Sequence, residues 1–381
     1  MKKIFAWIGI VFLCMAFIGL SIIGVWYFRP NTAQVEESLE MEVWTAVGDG
    51  MHNSNTDLIF WNETFYLVHA SSPYHMGTKE SKLVVLKSKD ARTWEHVRDL
   101  KVGGEDVRDP KFAVIHDRLF LYVLKNLGFE PEPYCTAQTS TADGVNWSPL
   151  QDVEPQGWLF WRPKTRDSRI WYVTAYWHEH GKSILLKSNN GTQWEQVSQI
   201  HTGDRNDETA FEFLPDGDMV VTARLEGRRA WHQGSNDAST LIAVSSPPYM
   251  KWSKTRSHLT RLDGPALFSY KGQVYAVARF DPEGYSRWYG MSSLLGRKRT
   301  AVYRVGRDRL VRISDLPSAG DTSYPGVVMK DGDLFVSYYT STIRRDYSWL
   351  LGLVLKSDIQ MARIGLEKLS DLAERKTGAR N

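Results

Sequence analysis

Two hydrophobic patterns divide the chain. The first is one uncharged stretch from Ile4 to Phe28, preceded by Met1-Lys2-Lys3 and ended by Arg29-Pro30. About 20 apolar residues cross the hydrocarbon of a bilayer, so this stretch is predicted to be a transmembrane helix. The two lysines on its short N-terminal side favour a cytoplasmic N-terminus and an exported body, a single-pass arrangement. A signal peptide, cleaved to release a secreted protein, is the competing reading. Its apolar region is ordinarily ~7–15 residues, however, and no clear small-x-small site follows here. Residues 1–30 therefore read as an uncleaved anchor and the polar, acidic residues 31–41 as a linker.

From residue 42 onward the apolar runs are short and come in pairs around turns. Ala210-Phe-Glu-Phe-Leu214 leads through Pro215-Asp-Gly217 to Met219-Val-Val-Thr-Ala223, and Asp-Gly between alternating apolar runs predicts a β-hairpin. Such units begin at Thr56-Asp57, Arg108-Asp109-Pro110, Trp161-Arg162-Pro163, Asp207-Glu208-Thr209, Asp263-Gly264-Pro265 and Ser323-Tyr324-Pro325. A third apolar run follows several of them, at residues 82–87, 182–187, 240–244 and 351–357. A fourth strand is opened by a recurring motif: Ser88 to Trp94, Thr141 to Trp147, Ser188 to Trp194 and, more faintly, Ser246 to Trp252. Each hydroxyl residue lies six positions before its tryptophan, and the tryptophans fall 53, 47 and 58 residues apart.

A period near 50 with strand-like sequence between the marks is the signature of a propeller. The predicted fold is all-β: a six-bladed propeller of four-stranded blades over residues 42–361, with a charged tail or short helix over 362–381. The sixth unit has no tryptophan after it. Trp44-Thr-Ala-Val47 resembles the strands that follow Trp94 and Trp194, so it is predicted to supply the missing outer strand and close the ring without an open edge. The tryptophan motif itself reads as architecture, its polar side chains bonding the turn backbone and its indole packing between sheets.

Composition narrows the function. A net charge of +3 over 381 residues argues against a nucleic-acid partner. Fifteen tryptophans and seventeen tyrosines suit a β-rich core and a sugar-facing surface. The two cysteines, Cys14 and Cys135, make no disulfide framework, and no Cys/His cluster has metal-ligand spacing, so neither metal nor cofactor is expected.

In a propeller the first strands of all blades converge on the central channel. The hairpin openings therefore bring Asp57, Arg108, Asp109, Arg162, Asp207, Glu208, Asp263, Asp321 and Tyr324 to one face, a description of a site for a polar, oxygen-rich ligand. Asp109 and Lys125, Glu208 and Arg224, and Asp263 and Arg279 are each sixteen apart and centred on a turn, which sets them side by side on adjacent strands. Each pair is either a salt bridge across the mouth or a pair of ligand contacts. Trp161, Tyr285, Trp288 and Tyr289 either stack on sugar rings or pack.

The body from Trp44 to Ser357 resembles the sialidase superfamily. In that family a glutamate opens a hairpin of the form Glu-x-x-x-x-x-Leu-Pro-Asp-Gly and is followed by an arginine that holds the substrate carboxylate. Glu208 to Gly217 with Arg224 is similar, and Tyr324 stands where the family's nucleophile opens the last blade. The resemblance implies that Glu208 deprotonates Tyr324, which attacks the anomeric carbon, outside the usual two-carboxylate scheme. One of Arg297 and Arg299 would be a second member of that carboxylate clamp, and Asp263 and Arg279, placed together by their spacing, are candidate substrate contacts beside it. Where the family opens its first blade with an arginine this chain has Asn55-Thr56-Asp57-Leu58, so the carboxylate fork is incomplete unless Arg108 or Arg162 substitutes. Where the family has its acid/base aspartate the chain reads Ser71 to Gly77, so that role is vacant or passes to His75.

The expected function is thus sialidase-like hydrolysis of a glycan by a membrane-held enzyme. Two alternatives accompany it. One is a two-carboxylate glycosidase using Asp57, Asp109 and Glu208; the other is a noncatalytic propeller that binds glycan or protein. The partners expected are a carbohydrate and, through the N-terminal helix, the lipid bilayer.

Overall fold

The computed structural model describes residues 2–128, 133–227, 237–283 and 294–378. Six antiparallel sheets follow one another around a central channel. Their innermost strands are His52–Trp61, Glu105–Ile115, Trp158–Phe160 (continued by Lys164–Thr165), Asn206–Phe213, Asp263–Tyr270 and Thr322–Lys330, for blades one to six. The protein is an all-β six-bladed propeller with four-stranded blades, preceded by an apolar helix. Glu42–Val47 pairs with Asp358–Gly365 as the outer strand of blade six, with Trp44 opposite Met361, so the chain's beginning closes the ring.

The apolar core is distributed along the seams between blades. Among the described residues six buried clusters each join neighbouring blades; one sets Trp61, Tyr66 and Val68 of blade one against Phe112, Leu121 and Val123 of blade two, and another runs from Leu124 of blade two through blades three and four to Tyr303 of blade five. Both faces of the middle strands are therefore covered, and Thr64–Ser72 is buried along its whole length. That two-sided burial explains why these strands read as continuous apolar runs.

The tryptophan-motif turns have the expected construction. Asp90 Oδ1 accepts from the backbone N–H of Arg92 and Thr93, Asp143 Oδ1 from Val145 and Asn146, and Asn190 Oδ1 from Thr192 and Gln193. A further turn of this kind escaped the sequence reading: Asp167 Oδ1 accepts from Arg169 and Ile170, and Thr165 lies six positions before Trp171.

Blade six departs from expectation. Residues 351–357 are not its third strand; that strand is Asp358–Gly365. Instead Trp349–Val354 is a short helix, N-capped by Ser348, whose Oγ accepts from Leu351 N. It belongs to an insertion of residues 341–357 between the second and third strands. Gly352 seats it, because a Cβ there would come within 1.9 Å of Asp321 N.

The termini are held rather than loose. In the C-terminal helix, Leu366–Gly378, Leu366, Leu369, Leu372 and Ala373 form one buried face against Val311 and Ile313 of blade five. The linker lies along blade five, where Gln34 N donates to Asp315 Oδ2 (2.8 Å) and Glu36 N to Ser314 Oγ (3.0 Å). The N-terminal helix, Lys2–Phe28, contains an apolar window from Trp7 to Val25 with mean hydropathy 2.7, none of it buried.

Candidate active site

One structural device aims the site's side chains. In five blades the ladder between the first and second strands gains an extra residue on the inner strand, between Ser54 and Asp57, Arg108 and Lys111, Asp207 and Thr209, Asp263 and Ala266, and Ser323 and Gly326. A bulge of this kind bends its strand and re-aims a side chain. Asn55, Asp109, Gly264 and Tyr324 sit in these bulges with φ of 45°, 47°, 59° and 44°. For the three that are not glycine the left-handed backbone costs on the order of 1–3 kcal/mol each, a strain typical of functional positions. Pro110, Pro265 and Pro325 follow three of these residues, where no ladder N–H is required.

Asn55, Asp109, Glu208 and Tyr324 thereby line one pocket at the channel mouth, together with Arg108, Arg224, Arg261 and Arg279. The insertion of blade six adds Trp349 and Leu353 to its wall, and the loop after the first hairpin adds His75. These two segments are tied together by His75 N donating to Leu353 O (3.1 Å).

At the centre, the Tyr324 hydroxyl donates to Glu208 Oε1 in a short contact. The same oxygen lies 3.0 Å from Arg224 Nη1, and Glu208 Oε2 accepts from Gly264 N at 2.7 Å. Burial pushes the Glu208 carboxyl up to about 7; Asp207, Asp263 and Asp109 add to the rise and Arg224 opposes it. Burial, and then the Glu208 charge, push the Tyr324 phenol well above the usual tyrosine range. The phenol is therefore a weak acid held against a base whose proton affinity suits neutral pH. The Tyr324 ring lies on Gly264, where a Cβ would come within 2.7 Å of it, so glycine is needed there for contact as well as for φ.

Around this pair the guanidiniums are already engaged. Arg224 bonds both oxygens of Asp207 (2.6 and 2.5 Å). Arg261 bonds both oxygens of Asp263 (2.6 and 2.8 Å), and Arg279 Nε reaches the same carboxylate at 2.9 Å. Arg108 Nε is 2.8 Å from Asp106. Burial opposes ionisation of Asp263, yet the Arg261, Arg279 and Arg224 charges hold its carboxyl well below the ordinary range. Sequence reasoning missed Arg261. Its signal was the spacing to Asp263, since residues two apart on extended chain share a side; Asp106 and Arg108 show the same spacing.

A second acid–base unit faces the pocket. His75 Nδ1 lies 2.5 Å from Asp321 Oδ2, and His52 Nε2 lies 3.2 Å from the same oxygen. Tyr339 Oη (3.1 Å) and Trp349 Nε1 (3.0 Å) donate to Asp321 Oδ1. Burial opposes charge on Asp321, but His75 and His52 hold it well below the usual carboxylate range. The fold thus joins His52, His75 and Asp321, which the sequence reading had not grouped.

Other anticipated residues lie elsewhere. Asp57 is fully buried beneath the pocket, accepting from Phe112 N (2.6 Å) and contacting Arg162, so neither of these two reaches the mouth. Trp161 is 2% exposed and donates to Pro265 O (2.7 Å), which leaves it no face for a sugar. Lys125 stands opposite Val107 rather than Asp109, because the turn is centred between His116 and Asp117 and the bulge shifts the register by one residue more; it pairs with Asp152 at 2.9 Å. Arg299 and Arg297 contact Asp346 and Thr32 and fasten the linker, and neither lines the pocket. Tyr285, Trp288 and Tyr289 fall outside the described residues.

No family model and no curated protein matches the sequence. Solved structures do match the fold. The phage phi92 endosialidase aligns with a TM-score of 0.65 at 10% identity, over 86% of this chain and 69% of its own. A mutant of Trypanosoma rangeli sialidase displaying trans-sialidase activity gives 0.64 at 12% identity, over 90% and 61%. Trypanosoma rangeli sialidase in complex with sialic acid gives 0.62 at 13% identity, over 88% and 60%. The chain spans about 60% of the length of these trypanosomal proteins. The likeness is one of fold: a sialidase-like propeller.

Proposed function

We propose that the protein is a glycoside hydrolase held at a membrane by its N-terminal helix, with Tyr324 as nucleophile and Glu208 as its base. The observation that carries this reading is the contact of the Tyr324 hydroxyl with Glu208 Oε1 inside a pocket ringed by polar groups. In the first step the Tyr324 oxygen bonds the anomeric carbon while Glu208 takes the phenolic proton. The bond from that carbon to the leaving oxygen breaks, and His75, oriented by Asp321, supplies the proton that oxygen needs. In the second step water attacks the glycosyl-tyrosine, His75 takes the water proton, and Glu208 returns its proton to Tyr324. Two displacements at one carbon retain its configuration.

The sugar in this reading is uncharged. Neither Arg108 nor Arg162 completes a fork for a carboxylate, since Arg108 is bound to Asp106 and Arg162 lies beneath the pocket with Asp57. Asn55, Ser71, Ser72, Asp109 and Glu226 offer hydrogen-bond acceptors to hydroxyl groups instead. The two-carboxylate alternative loses one of its three acids with Asp57 buried under the floor.

The test is a panel of 4-nitrophenyl glycosides of neutral sugars and of a sialic acid, followed across pH. A neutral glycoside is expected to be hydrolysed. Glu208 must be ionised to accept the proton, so with its carboxyl at about 7 the value of kcat/KM should climb by about tenfold per unit on the acid side of about 7, and the need for a proton on His75 should turn the profile down at higher pH. A profile flat from about pH 5 to about pH 8 contradicts the assignment of the base. Binding of glycan without hydrolysis of any glycoside leaves the noncatalytic reading standing.

A further inference from the structure

The apolar helix is fastened to the pocket-bearing end of the propeller. It ends at Phe28, and the residues around that point are bound to the start of the blade-six insertion. Tyr27 stacks on Tyr347 with ring centroids 5.4 Å apart. Arg345 Nη1 donates to Phe28 O (3.0 Å), Asp346 N to Arg29 O (2.9 Å) and Asn31 N to Arg344 O (3.1 Å). A chain reaches at most about 3.5 Å per residue, so the three steps from Phe28 to Asn31 span about 10 Å. The same insertion continues into Trp349 and Leu353 of the pocket wall. A bilayer crossed by the helix therefore lies close to the mouth.

Large apolar side chains are exposed on that rim. Val354 is 62% exposed and Leu350 42%, both on the insertion helix, and Tyr74 is 47% exposed on the loop bonded to it through His75. Arg344 and Arg345, beside the helix end, are exposed as well. Aliphatic and tyrosine side chains with arginines next to a spanning helix match the layered chemistry of a membrane interface, apolar tails beneath phosphates.

We propose that the pocket mouth docks on the bilayer that seats the helix, with Tyr74, Leu350 and Val354 in the interface and Arg344 and Arg345 at the phosphates, and that the substrate is a sugar carried on a lipid of that bilayer. This inference rests on the anchor and hydrolase reading above. A glycan in bulk solution has to enter between the propeller and the membrane, whereas a sugar carried on a lipid arrives within the gap.

The test uses the full chain in phosphatidylcholine–phosphatidylglycerol vesicles. Two probes carry the sugar found active in the nitrophenyl panel: a dialkylglycerol glycoside in the vesicle and the soluble 4-nitrophenyl glycoside. Replacing Leu350 and Val354 together by glutamate is expected to lower hydrolysis of the vesicle-borne probe at least tenfold and to change the soluble one less than twofold. Equal losses on both probes, or none on either, overturn the lipid-borne substrate. Docking is read separately with a fluorophore on Val354→Cys in a Cys14→Ser background, Cys135 being buried. Brominated lipids are expected to quench it, and absence of quenching overturns the docking. If the unaltered chain hydrolyses neither probe, the hydrolase reading falls together with the lipid-borne substrate, and the quenching still decides the docking.

Discussion

Glu208→Gln is expected to lower kcat/KM for a 4-nitrophenyl glycoside by about 10²–10⁴-fold, the usual worth of a positioned acid or base, while leaving the fold in place. Glutamine keeps the shape but has one acceptor oxygen for the two donors Gly264 N and Arg224 Nη1, and it does not take a proton from Tyr324. Tyr324→Phe is expected to cost at least as much, because the attacking atom is gone. Full activity of Tyr324→Phe with an inactive Glu208→Gln would transfer the chemistry to carboxylates. His75→Ala should behave differently from both. Its loss in kcat/KM, which reports the first displacement alone, should be large for a phenyl glycoside, whose leaving oxygen needs a proton, and small for a 2,4-dinitrophenyl glycoside, whose leaving oxygen does not. A merely structural role for His75 would lower both rates alike.

Asp263→Ala should produce the largest loss of stability among the residues that build the site. Asp263 is fully buried and holds Arg261 through two bonds and Arg279 through a third. Its removal leaves two guanidiniums facing each other without their shared anion, and breaking a buried charge pair in this way costs about 3–5 kcal/mol. The change is read from the midpoint of urea unfolding at constant slope. A loss below about 1 kcal/mol would mean that solvent or a neighbouring carboxylate already compensates these arginines.

The parts of this architecture that were legible in the sequence are those written locally. Two-sided burial makes the strands of a blade into apolar runs, and Pro215-Asp216-Gly217 or the Asp143 turn marks where they reverse. Trp44 could be placed in blade six because its strand resembles those after Trp94 and Trp194. The bulges were not legible, since one added residue leaves the apolar pattern nearly intact while changing the face to which a side chain points. The bulge beside Asp263 brings Arg279 opposite it, whereas in the Asp109 hairpin the bulge adds to a turn centred between His116 and Asp117 and carries Lys125 to Val107. The proline after Asp109, Gly264 and Tyr324 was the available signal. Partners far along the chain were illegible for a different reason. Asp321 meets His75 across 246 residues, and Arg299 meets Thr32 across 267, so neither leaves a periodic trace. The strand expected at residues 351–357 became a helix because Ser348 caps it and Gly352 lets it lie on Asp321.

The proposed mechanism requires Tyr324 to form the bond to sugar. The most direct measurement is peptide mapping by mass spectrometry after treatment with a 2-deoxy-2-fluoro glycosyl fluoride of the sugar that the panel identifies. The fluorine slows the second displacement more than the first, so the expected result is a fluoroglycosyl adduct on the peptide carrying Tyr324, absent from Tyr324→Phe. An adduct on Asp109 or Glu208 instead would contradict it.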